Sequence, residues 1–215
     1  MLVVFDLDGT LIDSREDLAS SANALIVERG GAPLPVEQIT AMVGEGAKLL
    51  VQRALVAAGL PPEIDTALPR FLELYDQRLL VRTTLYDGTR EMLEGLAREH
   101  QLAVLTNKPQ HHTGRVLDGL GIRRLFGGVI GGDSTFGRKP DPAGLRHFMT
   151  QARAAIGDTI LVGDSAIDLR TAHAAGVRIC LVRFGFGFPL AQAELTGREL
   201  LADSPADIPG LIERP

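Results

Sequence analysis

The sequence predicts an α/β fold, a doubly wound (Rossmann-like) parallel sheet core with an inserted all-helical domain. Three observations carry this prediction: five short apolar runs rich in β-branched residues recur along the chain, helical patterns separate the later runs, and one long segment near the amino terminus lacks any convincing strand. Continuous apolar runs are what strands buried on both faces look like, and alternation of strand and helix is how a parallel sheet is built.

Leu2 to Phe5 is the first such run. The segment from Ser14 to Arg82 then breaks the alternation and separates this strand from the rest of the sheet. Inside it Leu68, Phe71, Leu72, Tyr75 and Leu79 fall at i, i+3, i+4, i+7 and i+11, the spacing of one buried helical face. A second helix is predicted over Ala47 to Ala58, after the glycine-flanked turn Gly44-Glu45-Gly46, and Gly30-Gly31, Pro33, Pro35, Pro61 and Pro62 punctuate the bundle. Further strands follow at Leu102 to Leu105, Val129 to Ile130, Ile160 to Val162 and Ile179 to Val182. Helices are predicted between and around them over Arg90 to Glu99, Thr113 to Leu120, Pro142 to Arg153 and Ile167 to Ala175. The expected division is a core of residues 1–13 and 83–215 and a helical domain of 14–82.

The composition suits this architecture. A chain of 215 residues, 45% hydrophobic and 23% charged, has the make-up of a globular protein with one sizeable core and a smaller module. The net charge of −5, with Lys and Arg scattered, argues against nucleic acid as a partner. Met1 to Phe5 is too short an apolar run for a signal peptide or a membrane span, so a cytoplasmic location is expected. The single cysteine, Cys180, sits in an apolar run and is expected to be buried in a strand.

The chemistry concentrates at four predicted strand ends, where ligands of open α/β sheets bind. Asp6-Leu7-Asp8-Gly9-Thr10 follows the first strand. Its two acids leave the strand on one side, and Gly9 lets the backbone approach a ligand. One acid can bind a hard cation and attack phosphorus while the other handles the proton of the leaving oxygen. Thr106-Asn107 follows the second of the core strands, where a hydroxyl and helix-start N–H groups can hold phosphate oxygens, or Thr106 can simply cap the next helix. Lys139 lies in the stiff turn Arg138-Lys139-Pro140-Asp141-Pro142, with Asp141 expected as an N-cap and Pro142 as the first helical residue, and can neutralise a phosphoryl group. Gly163-Asp164-Ser165-Ala166-Ile167-Asp168 ends the set. Asp168 has a capping role available with Ser165, whereas Asp164, an acid at the end of an apolar strand, completes with Asp6 and Asp8 an oxygen-rich site suited to Mg²⁺.

These four motifs, in this order, resemble the haloacid dehalogenase superfamily. The resemblance implies that Asp6 is a nucleophile, Asp8 a general acid and base, and Thr106 and Lys139 phosphate holders. It further implies that Asp6, Asp8 through its carbonyl, and Asp164 bind Mg²⁺, with Asp168 in the outer shell. Asp8-Gly9-Thr10-Leu11-Ile12-Asp13-Ser14 is similar to members carrying a helical cap after the first motif. Val43-Gly44-Glu45-Gly46-Ala47-Lys48-Leu49-Leu50, Tyr86-Asp87-Gly88 and Leu105-Thr106-Asn107-Lys108-Pro109 look most like phosphoglycolate phosphatases. On that resemblance Gly9, Asn107, Gly44, Glu45, Gly46 and Lys48 join Thr106 and Lys139 as substrate-binding candidates, Lys48 being either an anion contact or an exposed helix residue. Glu45 would repel a carboxylate unless it points away.

The implied activity is Mg²⁺-dependent hydrolysis of a small phosphorylated metabolite through an aspartyl-phosphate, by a monomer or homodimer without membrane or nucleic acid. A phosphosugar mutase uses the same core motifs, and a non-catalytic phosphate-binding module would keep the fold without turnover. His111-His112 has no partner at zinc spacing and is expected at a solvated helix start, and His173 is expected to be structural. Phe184, Phe186 and Phe188 are expected either to line the site rim or to pack onto the cap.

Overall fold

The computed structural model describes residues 1–213. In chain order its principal elements are β1 (Leu2–Phe5), β2 (Ile12–Asp13), α1 (Arg15–Glu28), α2 (Val36–Thr40), α3 (Ala47–Ala57), α4 (Ile64–Arg78), β3 (Thr84–Leu85) and α5 (Thr89–Leu96). They continue with β4 (Gln101–Leu105), α6 (Gln110–Gly119), β5 (Gly128–Ile130), α7 (Ala143–Ala152), β6 (Thr159–Gly163), α8 (Ala166–Ala175), β7 (Arg178–Val182), α9 (Phe188–Ala191), β8 (Leu200–Ala202) and α10 (Ile208–Ile212). Two compact units result, Met1–Asp13 with Leu85–Pro215, and Ser14–Thr84.

The first unit is built on an all-parallel six-stranded sheet in the order β5-β4-β1-β6-β7-β8. β1 lies inside the sheet, so Val3, Val4 and Phe5 are wholly buried, as its unbroken apolar run requires. Leu2, Val4, Ala103, Leu105, Leu161 and Leu181 pack with Leu145 and Phe148 of α7 and Leu169 and Ala172 of α8. Side chains alternate across a strand, which turns Phe5 to the other face. There its ring meets Phe126 edge-on at 6.4 Å. Cys180 is buried in β7, and burial pushes its thiol up to about 12, so it packs as a small hydrophobe.

The register places the functional segments side by side. Phe5 pairs with Val104 on one side and Val162 on the other, so the residues after β1, β4 and β6 emerge together at the carboxyl edge of the sheet. The Asp6 N–H donates to Val162 O at 2.8 Å and the Thr106 N–H to Ile130 O at 3.0 Å, continuing the ladder into the first residues of each loop.

The second unit consists of helices α1–α4. On α4 the buried face is Ala67, Phe71, Leu74 and Tyr75, with Phe71 and Tyr75 stacked at 5.9 Å, while Leu68 and Leu72 are half-buried. Asp17, buried in the first turn of α1, accepts hydrogen bonds from the N–H groups of Arg82 and Thr83 and from the Thr83 hydroxyl, the last at 2.7 Å. A buried carboxylate is thereby satisfied by the segment just before β3.

Several expectations change in detail. α6 begins at Gln110, so Thr106 neither caps it nor sits at its amino terminus, and His112 is buried rather than solvated. α7 begins at Ala143, one residue after the expected start, although Asp141 Oδ1 does accept the Ala143 N–H at 2.9 Å. His173 is exposed, 3.9 Å from Glu199. Phe184 packs edge-on against Tyr86 at 4.9 Å, and Phe188 joins the hydrophobic core around α8.

Candidate active site

Asp6 is the first residue beyond β1 and is buried. Its Oδ1 lies 2.8 Å from Lys139 Nζ. Lys139 in turn donates to Asp168 Oδ1 at 2.6 Å, so one buried ammonium bridges two carboxylates. Asn107 fixes the backbone of this lysine by a reciprocal pair: its Nδ2 donates to Lys139 O at 3.0 Å and its Oδ1 accepts the Lys139 N–H at 2.9 Å. The Asn107 side chain is therefore committed to positioning Lys139, and the expectation for this segment rested on backbone N–H groups rather than on that side chain. Thr106 is buried beside it and accepts the Lys108 N–H at 3.3 Å.

Asp164 follows β6 and accepts the Gly187 N–H on Oδ2 at 2.7 Å and the Thr10 hydroxyl on Oδ1 at 3.3 Å. Asp168 occupies the N3 position of α8. It exchanges a capping box with Ser165, and its Oδ2 accepts the Ser165 N–H at 3.1 Å. The capping role expected for Asp168 is present, and the contact with Lys139 is an addition to it.

The approach of these groups depends on small residues. Gly9 has φ +87, and a Cβ there would stand 2.1 Å from Asp164 Oδ2. Gly185, which sequence reasoning passed over, is held equally close, since its Cβ would meet Asp164 Cβ at 2.2 Å and Gly9 O at 2.4 Å. Any side chain at either position would force the first and fourth motifs apart.

Asp6, Asp164 and Asp168 each offer an oxygen within 4.8 Å of the others. Burial pushes the Asp6 carboxyl up to about 6, opposed by Lys139 and reinforced by Asp168. Burial, then the charges of Asp168 and Asp6, hold Asp164 well above the ordinary carboxylate range. For Lys139, burial works against the charge, but Asp168 and Asp6 outweigh it and raise the pKa above the usual lysine value. Three buried carboxylates around one lysine remain short of positive charge. An all-oxygen donor set with that deficit fits Mg²⁺, a hard cation that prefers carboxylates and carbonyls.

Asp8 stands apart from this set. Its carboxylate accepts from Lys108 Nζ at 2.9 and 3.1 Å. Lys108 was not among the sequence candidates, because a lysine after Asn107 carries no motif signal beyond its place in Leu105-Thr106-Asn107-Lys108-Pro109. The Asp8 carboxylate is thus engaged by Lys108 rather than by the cluster of Asp6, Asp164 and Asp168.

The remaining candidates lie in the helical unit. Gly44 (φ +120) and Gly46 (φ +92) shape the turn that begins α3, and Lys48 is exposed in its first turn. The Glu45 carboxylate pairs with Arg53 at 2.5 Å. Its charge is countered within the unit.

Comparison with known proteins is consistent across sequence and structure. Residues 3–182 match the haloacid dehalogenase-like hydrolase family. A phosphoglycolate phosphatase of Pseudomonas fluorescens is 37% identical over 99% of this chain and 80% of its own length. Phosphoglycolate phosphatase 1 of Pseudomonas aeruginosa is 38% identical over 89% of this chain and 73% of its own. The crystal structure of a predicted phosphoglycolate phosphatase from Haemophilus somnus superposes with a TM-score of 0.92 at 31% identity, covering 99% of this chain and 97% of that one. No helix among the described residues is long and apolar enough to cross a membrane.

Proposed function

The chain belongs to the haloacid dehalogenase-like hydrolase family as a phosphatase, and on that premise we propose that it hydrolyses 2-phosphoglycolate through an aspartyl-phosphate on Asp6, with Mg²⁺ as cofactor. The observation that carries the mechanism is the buried Asp6–Lys139–Asp168 bridge beside Asp164. It presents one carboxylate at the edge of the sheet with a fixed cation next to it.

In the first half-reaction an Asp6 oxygen attacks phosphorus, the bond to the leaving oxygen breaks, and Asp8 supplies the proton that the leaving group takes. In the second, water attacks the same phosphorus, Asp8 takes its proton and the Asp6 carboxylate is restored. Lys108 holds the Asp8 carboxylate in place between the two steps. Lys139 and the Thr106 hydroxyl balance and orient the phosphoryl oxygens. Asp6, Asp164 and the Asp8 carbonyl would hold Mg²⁺, with Asp168 behind them. When bound, the ion supplies Lewis-acid neutralisation of the phosphoryl charge.

The substrate reading rests on the named relatives and on the turn before α3. Arg53 neutralises Glu45, which leaves Lys48 as the cation that would read a substrate carboxylate. Phosphate release from 2-phosphoglycolate and from p-nitrophenyl phosphate, each with and without Mg²⁺, tests the proposal. Activity on both should require Mg²⁺, and Lys48→Ala should raise KM for 2-phosphoglycolate while leaving p-nitrophenyl phosphate little changed. Equal losses on both substrates would move Lys48 out of substrate recognition, and turnover of neither by the wild type would remove the phosphatase reading.

A second expectation separates the two acids of the fourth motif. Asp164→Asn should raise the Mg²⁺ concentration needed for half-maximal activity more than Asp168→Asn does. Asp168→Asn should instead lower thermal stability more, because it takes charge from Lys139 and weakens a helix cap whose loss typically costs about 1 kcal/mol. Mg²⁺ titrations and thermal melts on both variants decide this, and the reverse ranking in the titration would exchange their roles.

A further inference from the structure

A second cluster of metal-ligating side chains lies at the opposite edge of the sheet, before β4 begins. Glu99 and His100 occupy the turn between α5 and β4, and Glu213 directly follows α10. One ligand atom from each lies within 4.8 Å of the other two. Their backbones are fixed independently: the His100 N–H donates to Leu96 O at 2.8 Å, and Arg178 donates to Ile212 O at 3.1 Å. The buried side chains of Ile208 and Ile212 anchor α10 on the core. The cluster flanks a cavity of about 130 Å³ that Glu91 and Pro209 also line.

The histidine distinguishes this place from an ordinary acidic surface. Its side chain is only 10% exposed. Both ring nitrogens are buried, and neither has a hydrogen-bond partner among the described residues. A buried polar group without a partner destabilises the fold, so an unsatisfied imidazole calls for something that binds it. Its Nε2 faces Glu213 Oε1 at 4.0 Å, too far for a hydrogen bond. Two ligands of a tetrahedral ion with bonds of about 2.0–2.1 Å stand roughly 3.3 Å apart. Small rotations of the two long glutamate side chains would close the set around an ion.

We propose that Glu99, His100 and Glu213 form a transition-metal site of the Zn²⁺ class, separate from the carboxylates of the active site. One imidazole with two carboxylates is a zinc-type donor set, whereas Mg²⁺ takes oxygen ligands alone. The ligands come from segments far apart in sequence, so the ion would clip the carboxy-terminal segment to the turn that precedes β4 and stabilise the core by binding only the folded chain.

The test is a Zn²⁺ titration of the full chain by calorimetry, in excess Mg²⁺ so that the active-site carboxylates are occupied, with X-ray absorption at the zinc edge to identify the ligands. One equivalent with mixed nitrogen and oxygen ligation is expected. His100→Gln and Glu213→Gln should each weaken it by more than the roughly 10–100-fold loss that follows removal of an outer-shell partner, and Asp164→Asn should leave it unchanged. Zn²⁺ should also raise the melting temperature of the wild type but not of Glu213→Gln. Glu213 is 57% exposed, so that variant reports on the site even if His100→Gln folds poorly. Uptake that both variants retain, oxygen-only ligation, or no uptake beyond the Mg²⁺-competed site would overturn the proposal.

Discussion

Asp6→Asn is expected to abolish phosphate release while leaving the fold intact. The amide matches the carboxylate in shape but cannot act as the nucleophile, and loss of a nucleophile in a comparable covalent mechanism lowers kcat by about six orders of magnitude. The fold should tolerate the change because burial already disfavours the charged form of Asp6, and Lys139 keeps Asp168 as its partner. Circular dichroism and thermal melting would establish that the variant is folded, and initial rates at saturating Mg²⁺ would measure the loss. A folded Asp6→Asn protein with substantial Mg²⁺-dependent turnover would exclude the covalent route.

Lys139→Met is expected to damage both stability and activity. Its side chain is 1% exposed and lies between Asp6 and Asp168, with Asp164 in the same cluster. Breaking a buried ion pair by removing one partner costs about 3–5 kcal/mol, since the charge left behind has neither water nor counter-ion. Methionine fills much of the volume, so the loss reports electrostatics rather than a cavity. Urea denaturation should show this destabilisation in the absence of metal, and Mg²⁺ should restore more stability to the variant than it adds to the wild type, because a second cation would then be the main charge facing the carboxylates. Activity should remain severely reduced with Mg²⁺ present. A variant as stable as wild type in metal-free buffer would show that the bridge does not hold the site together.

The parts of the structure legible in the sequence are those governed by local pattern. β1 was readable to the residue because Leu2 to Phe5 is an unbroken apolar run ended by an acid. Of the helices of the second unit, α4 followed from its apolar spacing and α3 from the glycine turn before it, whereas α1 and α2 were not picked out. β8 was not readable: Leu200-Leu201-Ala202 is three residues long and carries no β-branched side chain, so only its pairing with β7 makes it a strand. The start of α6 was not legible: the apolar pattern begins only at Thr113 and Thr106 offers a capping side chain, whereas the loop after β4 runs on to Pro109 and the helix begins at Gln110.

The candidate site divides in the same way. Asp6, Asp8, Thr106, Lys139 and Asp164 announce themselves as polar residues at the ends of apolar strands or in stiff turns. What they do to one another depends on distances that no spacing encodes. Asn107 turned out to hold the Lys139 backbone, Lys108 to hold the Asp8 carboxylate, and Gly185 to make room for Asp164 from a loop after β7. The His100 cluster was invisible for a related reason: Glu213 is remote in sequence, and burial of the imidazole appears only when α10 packs against α5.

The central claim is that the phosphoryl group passes through Asp6, and rapid acid quench during turnover of 2-phosphoglycolate tests it most directly. Mass spectrometry of the quenched, digested protein should find one phosphoryl group on the peptide that begins at Met1, localised to Asp6, labile to hydroxylamine, and formed only with Mg²⁺ present. The Asp6→Asn protein should carry none. A wild-type enzyme that turns over with no phosphorylated peptide at any quench time, or with the phosphoryl group on a residue other than Asp6, would contradict the mechanism.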